Sequence, residues 1–302
     1  MILINLPLVS VVIPTYNHAH FLKKALRSVI EQTYSNWEVI VIDNHSDDNT
    51  DEVVASFLDN RIRLLKIHNN GSIAKSRNLG IKSSKGSWIA FLDSDDIWYE
   101  RKLELSINTI LKNPIIDGCS TNELLVNTTS QISRTLHHGP FCDNFYKVLL
   151  LEGNRLSTSA VMVKKKFLDN HQILFRENPE FITAEDFDFW LLMAEKNAKF
   201  YFIQSVQGEY TIHQNNESGK IAFHLKNVKN VLKDHAYHRQ KFTINKDSLW
   251  NAIQARLLIS QSKKYFSERN YHAAISTLIN ALKISPAFTL LLSIKKVWVY
   301  RS

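Results

Sequence analysis

Apolar and polar positions along the first hundred residues predict an alternation of strands and helices. Ser10 to Pro14 is a short β-branched run that stops in a turn at Pro14-Thr15-Tyr16-Asn17. From about His20 to Gln32, Phe21, Ala25, Val29 and Ile30 recur at helical spacing. Trp37 to Ile42 (WEVIVI) is nearly all apolar, as a strand covered on both faces is, and it ends at Asp43. The polar loop Asn44-His45-Ser46-Asp47-Asp48-Asn49 leads into a helix from about Thr50 to Phe57. Ile62 to Ile67 predicts a third strand. Ser72 to Gly80 predicts a short helix with Gly80 at its C-terminal end. Trp88 to Leu92 predicts a fourth strand, which runs into Asp93-Ser94-Asp95-Asp96. Strands joined by helix-length connections pair in parallel. The expected fold is therefore α/β, a Rossmann-like and mostly parallel sheet flanked by helices.

After Lys102, Leu103 to Leu111 reads as a helix, and Ile115 to Thr121 and Ala160 to Lys164 read as strands. Glu185 to Glu195 (EDFDFWLLMAE) predicts an amphipathic helix, with Phe187, Trp190, Leu191 and Ala194 three or four apart. From about Leu225 the strand signals fade. Leu249 to Lys264 and Tyr271 to Ile284 predict two antiparallel helices about a turn at Ser267 to Asn270. The pair resembles one helical-repeat unit without a second copy.

Composition narrows this picture a little. The 302 residues are 44% hydrophobic and 22% charged, an ordinary globular balance. That length holds one large α/β domain with an appendage, or two domains. Lys and Arg number 37 against 29 Asp and Glu, a formal net charge of +8. Such a surplus favours nucleic acid, anionic membrane or phosphorylated ligands without choosing among them. Cys119 and Cys142 lack zinc or CxxC spacing and read as reduced thiols, which fits a cytoplasmic location. The start, MILINLPLVSVVIPTYN, has no basic region and no cleavage site, and reads as a strand rather than a signal peptide. No apolar run reaches the roughly 20 residues of a membrane span. Pro286 to Tyr300 comes nearest and is broken by Lys295 and Lys296.

Ligands of open α/β sheets bind beyond the carboxyl ends of the strands. Asp43 and the Asp93 to Asp96 cluster both fall there. Carboxylates two apart in a turn can converge on a hard cation, and Mg²⁺ and Mn²⁺ take their oxygens from a few carboxylates and from substrate phosphates. A D-x-D in a loop can equally be a solvated turn; the apolar strand WIAFL before it favours function. Asp43 can present an acceptor to a nucleobase edge or a ribose hydroxyl, while Asp48 also suits a helix cap. Lys75 and Arg77, in NNGSIAKSRNLG, can neutralise a diphosphate or form a solvated basic face. That stretch has neither the Walker nor the G-x-G-x-x-G spacing. Glu185 and Asp186 can act as base or simply favour a helix N-terminus. His213 is one of 12 histidines and can be ligand or structural.

In this order the segments resemble the inverting family 2 glycosyltransferases of the GT-A fold. The resemblance runs through VSVVIPTYNHAHFLKKALRSVIEQTYSNWEVIVIDNHSDDNT, NNGSIAKSRNLGIKSSKGSWIAFLDSDD, AEDFDFWLLMAE and EYTIHQNNES, roughly residues 7 to 220. It departs at Asn44, where the family usually has a second acidic residue. The resemblance implies a GT-A domain over 1–220, its nucleotide-binding half about 1–100 and its acceptor half about 101–220, followed by a helical region over 221–302. It assigns nucleotide binding to Pro14, Thr15, Tyr16, Asp43, Asn44, Ser46, Lys75, Arg77, Asp93 and Ser94. Metal binding, Mn²⁺ or Mg²⁺, falls to Asp95 with Asp93 and His213. Asp186 becomes the catalytic base, with Glu185 beside it. The implied activity is hexosyl transfer from a nucleotide-sugar, UDP-sugar foremost, to a glycan or lipid-linked acceptor.

Two other readings compete. A sugar-nucleotide-forming nucleotidyltransferase shares the core and the metal, but opens with a Gly-rich basic loop where this chain has Pro14-Thr15-Tyr16-Asn17-His18. A non-enzymatic basic protein binding nucleic acid or membrane fits the charge, yet no arginine-rich stripe interleaved with aromatics is present, and no nucleic-acid partner is expected. The tail, with Phe288, Leu290 to Leu292, Val297, Trp298 and Tyr300 among Lys295, Lys296 and Arg301, suits a peripheral contact with an anionic membrane or a helix packed on the protein.

Overall fold

The computed structural model describes residues 6–128, 133–213 and 221–299, without the side chains of residues 221 and 293–299. It divides into two compact units, residues 1–145 with 155–228 and residues 146–154 with 229–302.

The first unit is built on one sheet. β1 (Val9–Thr15) and β2 (Trp37–Asp43) are buried along their whole length. Continuous apolar runs of this kind belong to strands covered on both faces. β1 lies between β2 and β4 (Trp88–Phe91), parallel to both, and β3 (Ile62–Lys66) adds in parallel outside β2. The connections are α1 (Ala19–Ile30), α2 (Thr50–Ala55) and α3 (Ile73–Ser83). Gly80 is not at the end of α3 but inside it: a Cβ there would lie 2.3 Å from Cγ1 of Val12 on β1. The glycine brings helix and strand into close contact, and the helix continues to Ser83.

The sheet then becomes mixed. β5 (Ile97–Trp98) and α4 (Lys102–Lys112) precede β6 (Gly118–Asn127), β7 (Ser133–Leu136) and, after α5 (Phe145–Glu152), β8 (Val161–Lys164). β8 runs antiparallel to β4 and to β6. α6 (Lys165–His171) and α7 (Glu185–Glu195) lead to β9 (Phe200–Ile212), which lies parallel to β6 and antiparallel to β5. The order is β3-β2-β1-β4-β8-β6-β9-β5, with β7 paired to β6. α7 is not amphipathic. Phe187, Asp188 and every residue from Phe189 to Ala194 are buried, and Phe189 stacks on Phe175 at 4.0 Å.

The second unit is helical. It takes most of α5, the end of α8 (Ile221–Asp234), a π-turn at His235–Arg239, α9 (Lys246–Ser267), α10 (Tyr271–Ile284) and α11 (Pro286–Val299). Asn245 caps α9 by accepting from Asp247 N and Ser248 N, and Asn270 caps α10 by accepting from Ala273 N. The Ser262 hydroxyl donates to Ala274 O at 2.7 Å, tying α9 to α10. No helix among the described residues is long and apolar enough to cross a membrane. In the tail, Phe288 is half-buried and Leu290 and Leu291 are exposed. The side chains of Lys295, Lys296, Val297 and Trp298, and all of Tyr300 and Arg301, lie outside the described residues.

Candidate active site

Strand register gathers the site. Thr15 pairs with Asp43 across β1 and β2, and Val12 pairs with Phe91 across β1 and β4. The carboxyl ends of the three strands therefore share one edge, and Asp93 follows β4 two residues on. Pro14 and Thr15 are buried there, and Tyr16 is exposed. Thr15 Oγ1 is buried with no hydrogen-bond partner, an unsatisfied polar atom at the strand end.

The loop after β2 is held by its own side chains. Ser46 Oγ donates to Asp43 Oδ1 at 2.5 Å, and Lys66 Nζ stands 3.6 Å from Asp43 Oδ2. Asn44 accepts from Asn69 N at 2.8 Å. Its amide group thus has its carbonyl oxygen turned to the protein. Asp48 is structural: it accepts from Thr50 Oγ1 at 2.5 Å and from Ala19 N at 2.9 Å.

Arg77 on α3 is buried rather than part of a solvated basic face, while Lys75, one turn-fraction away, is half-exposed. The guanidinium donates to Asp93 Oδ1 at 2.7 Å and to Glu185 Oε1 at 2.8 Å. Burial pulls the guanidinium pKa down, but Asp93, Glu185 and Asp186 outweigh it and raise it. Burial pushes Glu185 up to about 7 against the pull of Arg77. Asp186, the next residue, is partly exposed. Its pKa is raised by burial, opposed by Arg77 and by the Phe187 N–H.

Within the Asp93–Asp96 segment, Asp95 and Asp96 turn to different partners. Asp95 lies 3.0 Å from His213 Nε2. Burial and the neighbouring Asp93 raise its pKa, while His213 lowers it. Asp96 faces inward. It accepts from Ser159 Oγ at 2.6 Å and from Thr211 N at 2.9 Å. Burial, Asp95, Glu123 and Asp93 hold it well above the ordinary carboxylate range. Ser94 is buried, 3.3 Å from His18 Nδ1. His18 and Phe21 pack their rings against His213 at 5.7 and 4.6 Å. His18 and Ser159 belong to this neighbourhood although sequence reasoning passes over them. His18 directly follows the Pro14–Asn17 turn, a usable signal; Ser159 carries none. Gln214 to Ser218, beyond His213, lie outside the described residues.

The donor set suits a shared divalent ion. Asp93 and Asp95 offer hard oxygens and His213 an imidazole. Among the described residues no three His, Cys, Asp or Glu side chains come together so as to hold a metal ion by themselves. An ion that also takes phosphate oxygens needs only one or two carboxylates from the protein, so the residues fit that open mode.

Comparison with known proteins places the fold and the family. The fold is shared with the S. aureus protein TarS 1–349 in complex with UDP-GlcNAc, at a TM-score of 0.69 and 20% identity over 91% of this chain and 79% of that one. It is also shared with a Pyrobaculum calidifontis mannosyltransferase in complex with GDP-Man and Mn²⁺, at 0.62 and 17% over 98% and 81%. In sequence, the chain is 32% identical to the Escherichia coli UDP-Glc:alpha-D-GlcNAc-diphosphoundecaprenol beta-1,3-glucosyltransferase WfgD, over 75% of this chain and 86% of WfgD. It is 25% identical to the putative teichuronic acid biosynthesis glycosyltransferase TuaG of Bacillus subtilis, over 70% and 82%. The fold is of the GT-A type, and the sequence relatives make the chain a glycosyltransferase. The chain belongs to glycosyl transferase family 2, whose profile matches residues 10–169. That membership sets aside the nucleotidyltransferase and non-enzymatic readings.

Proposed function

We propose that this glycosyltransferase moves a sugar from a nucleoside-diphosphate donor, UDP-sugar foremost, to a hydroxyl of a lipid-linked or polysaccharide acceptor, with inversion at the anomeric carbon. The observation that carries the reading is Arg77, which joins Asp93 of the D-x-D to Glu185 of the E-D pair through two short ion pairs. Candidate donor-side and base-side carboxylates, far apart in sequence, thereby share one guanidinium. WfgD is named for a diphosphoundecaprenol-linked acceptor and TuaG for teichuronic acid biosynthesis, which supports a lipid-linked or polysaccharide acceptor here. The transferase domain is taken as 1–220 and the helical region as 221–302.

In this reading Thr15, Tyr16, Asp43, Asn44 and Ser46 surround the nucleoside, and Lys75 and Ser94 flank the diphosphate. When bound, a divalent ion supplies charge neutralisation for the departing diphosphate, and Asp95 with Asp93 and His213 would hold it. Asp186 takes the proton from the acceptor hydroxyl. A carboxylate whose pKa is raised is a stronger base than an ordinary one and suits that task. The acceptor oxygen bonds to the anomeric carbon from the face opposite the diphosphate. The carbon–oxygen bond to the diphosphate breaks, and its electron pair leaves with the nucleotide. Arg77 holds Glu185, and with it the first turn of α7, in place.

Calorimetric titration tests the reading, using UDP, dTDP and GDP, each with Mn²⁺ and with EDTA, on wild type, Asp95→Ala and Asp186→Asn. One nucleotide is expected to bind with Mn²⁺, and Asp95→Ala to lose that binding. Asp186→Asn is expected to bind as wild type while turnover falls about 10²–10⁴-fold. Absence of binding to any nucleotide by a folded sample overturns the donor site.

A further inference from the structure

The excess charge of this protein sits in one place. Residues 146–154 and 229–302, the helical unit, hold 14 Lys and Arg against 4 Asp and Glu, a net +10, and the remainder of the chain is at −2. The same unit carries an apolar face that is exposed among the described residues. α10 buries Ala274 and Ala281. On another side of the helix it exposes Tyr271, Ile275, Leu278 and Ile279, with Ile275 59% exposed. These four are spaced three or four apart or adjacent to such a position, so they form one stripe. Phe266, exposed at the end of α9, extends the stripe through its ring contact with Tyr271 at 5.2 Å. Lys264, Arg269 and Lys283 are exposed close by in the chain.

We propose that this face of α10 lies on an anionic lipid surface. An apolar stripe flanked by lysine and arginine is the form of a helix that rests in the headgroup layer without crossing it, and basic residues near an anionic leaflet add attraction. The charge selects the occupant. A second copy of the chain on this face would oppose two units of +10, and a nucleic acid would leave the isoleucines and leucine uncovered. The surface uses none of the residues assigned to catalysis, and it does not depend on the identity of donor or acceptor.

The test is co-sedimentation of the full-length protein with phosphatidylcholine vesicles, with and without phosphatidylglycerol, for wild type, Ile275→Ser/Ile279→Ser and Lys264→Glu/Arg269→Glu. The substituted side chains are exposed, and circular dichroism with nucleotide titration checks that each variant is folded. Wild type is expected to bind the anionic vesicles and not the neutral ones. Each double variant is expected to bind at least about tenfold more weakly with nucleotide affinity unchanged. Equal binding to both vesicle types, or binding unaffected by both double variants, overturns the proposal. So does a concentration-dependent dimer in ultracentrifugation that Ile275→Ser/Ile279→Ser abolishes, since the face would then belong to a second copy.

Discussion

Arg77 donates to Glu185 across 2.8 Å, joining α3 to the first turn of α7. Its other arm holds Asp93 at 2.7 Å. Both carboxylates thereby share one buried cation, and removal of that cation would leave them facing each other without a counter-charge. Breaking a buried pair by deleting one partner costs about 3–5 kcal/mol. Arg77→Lys keeps the charge, but an ammonium cannot span two carboxylates with a planar fork. Urea denaturation should show Arg77→Ala destabilised by that amount. Arg77→Lys should be closer to wild type in stability, yet lower in transfer rate. A lysine variant with full activity would show that the fork geometry is dispensable.

Gly80 faces Val12 at a distance that admits no side chain. Gly80→Ala is expected to cost about 1–3 kcal/mol by overpacking, although alanine is the better helix former. Trimming the obstacle should recover part of the loss. The double variant Val12→Ala/Gly80→Ala is expected to be more stable than the sum of the two single changes predicts, a coupling of about 0.5–3 kcal/mol. Simple additivity in chemical denaturation would mean that the helix shifts away instead.

Lys102 is 1% exposed and donates to Thr121 Oγ1 and Ala160 O. Burial lowers its pKa to about 8, against the pull of Glu123. The folded value lies below the unfolded one, so between them the unfolded chain binds more protons. The contribution of Lys102 to stability therefore rises as pH increases from about 8 towards the ordinary lysine value of about 10.4, by roughly 3 kcal/mol. Lys102→Met should remove this slope. Chemical denaturation of both proteins across that window measures the difference, and parallel profiles would refute the assignment.

The parallel half of the fold is readable in the sequence because its strands are buried on both faces. WEVIVI has no polar face to confuse its period, and β2 starts at Trp37 as expected and ends at Asp43. β9 is another matter. Its sequence, FYFIQSVQGEYTI, mixes exposed and buried positions without strict alternation, and its register with β6 shifts twice. Its pairings with β5 and β6 are set by distant residues that local pattern does not announce. Gly80 misleads because a glycine late in a helix signals an end by local rules, and only the position of Val12 on the adjacent strand gives the actual reason. EDFDFWLLMAE has helical spacing, but its burial depends on Phe91 and Phe175 arriving from elsewhere. In the candidate site, residue type and strand position single out Asp43, Asp93 and Asp95, while Arg77, on a helix, reads equally as part of a solvated basic face. That Arg77 serves the protein's own carboxylates is a fact of three-dimensional proximity.

β9 lies between β6 and β5, and its Thr211 supplies a backbone N–H to Asp96, 115 residues earlier in the chain. A ribosome needs roughly ten seconds to span such an interval. Throughout that time the nascent chain carries a carboxyl group destined for the interior and no strand to receive it. β5 pairs with β9 and cannot take its place in the sheet earlier. Completion of this edge of the sheet is thus a late event in synthesis, timed by the emergence of a strand far along the chain.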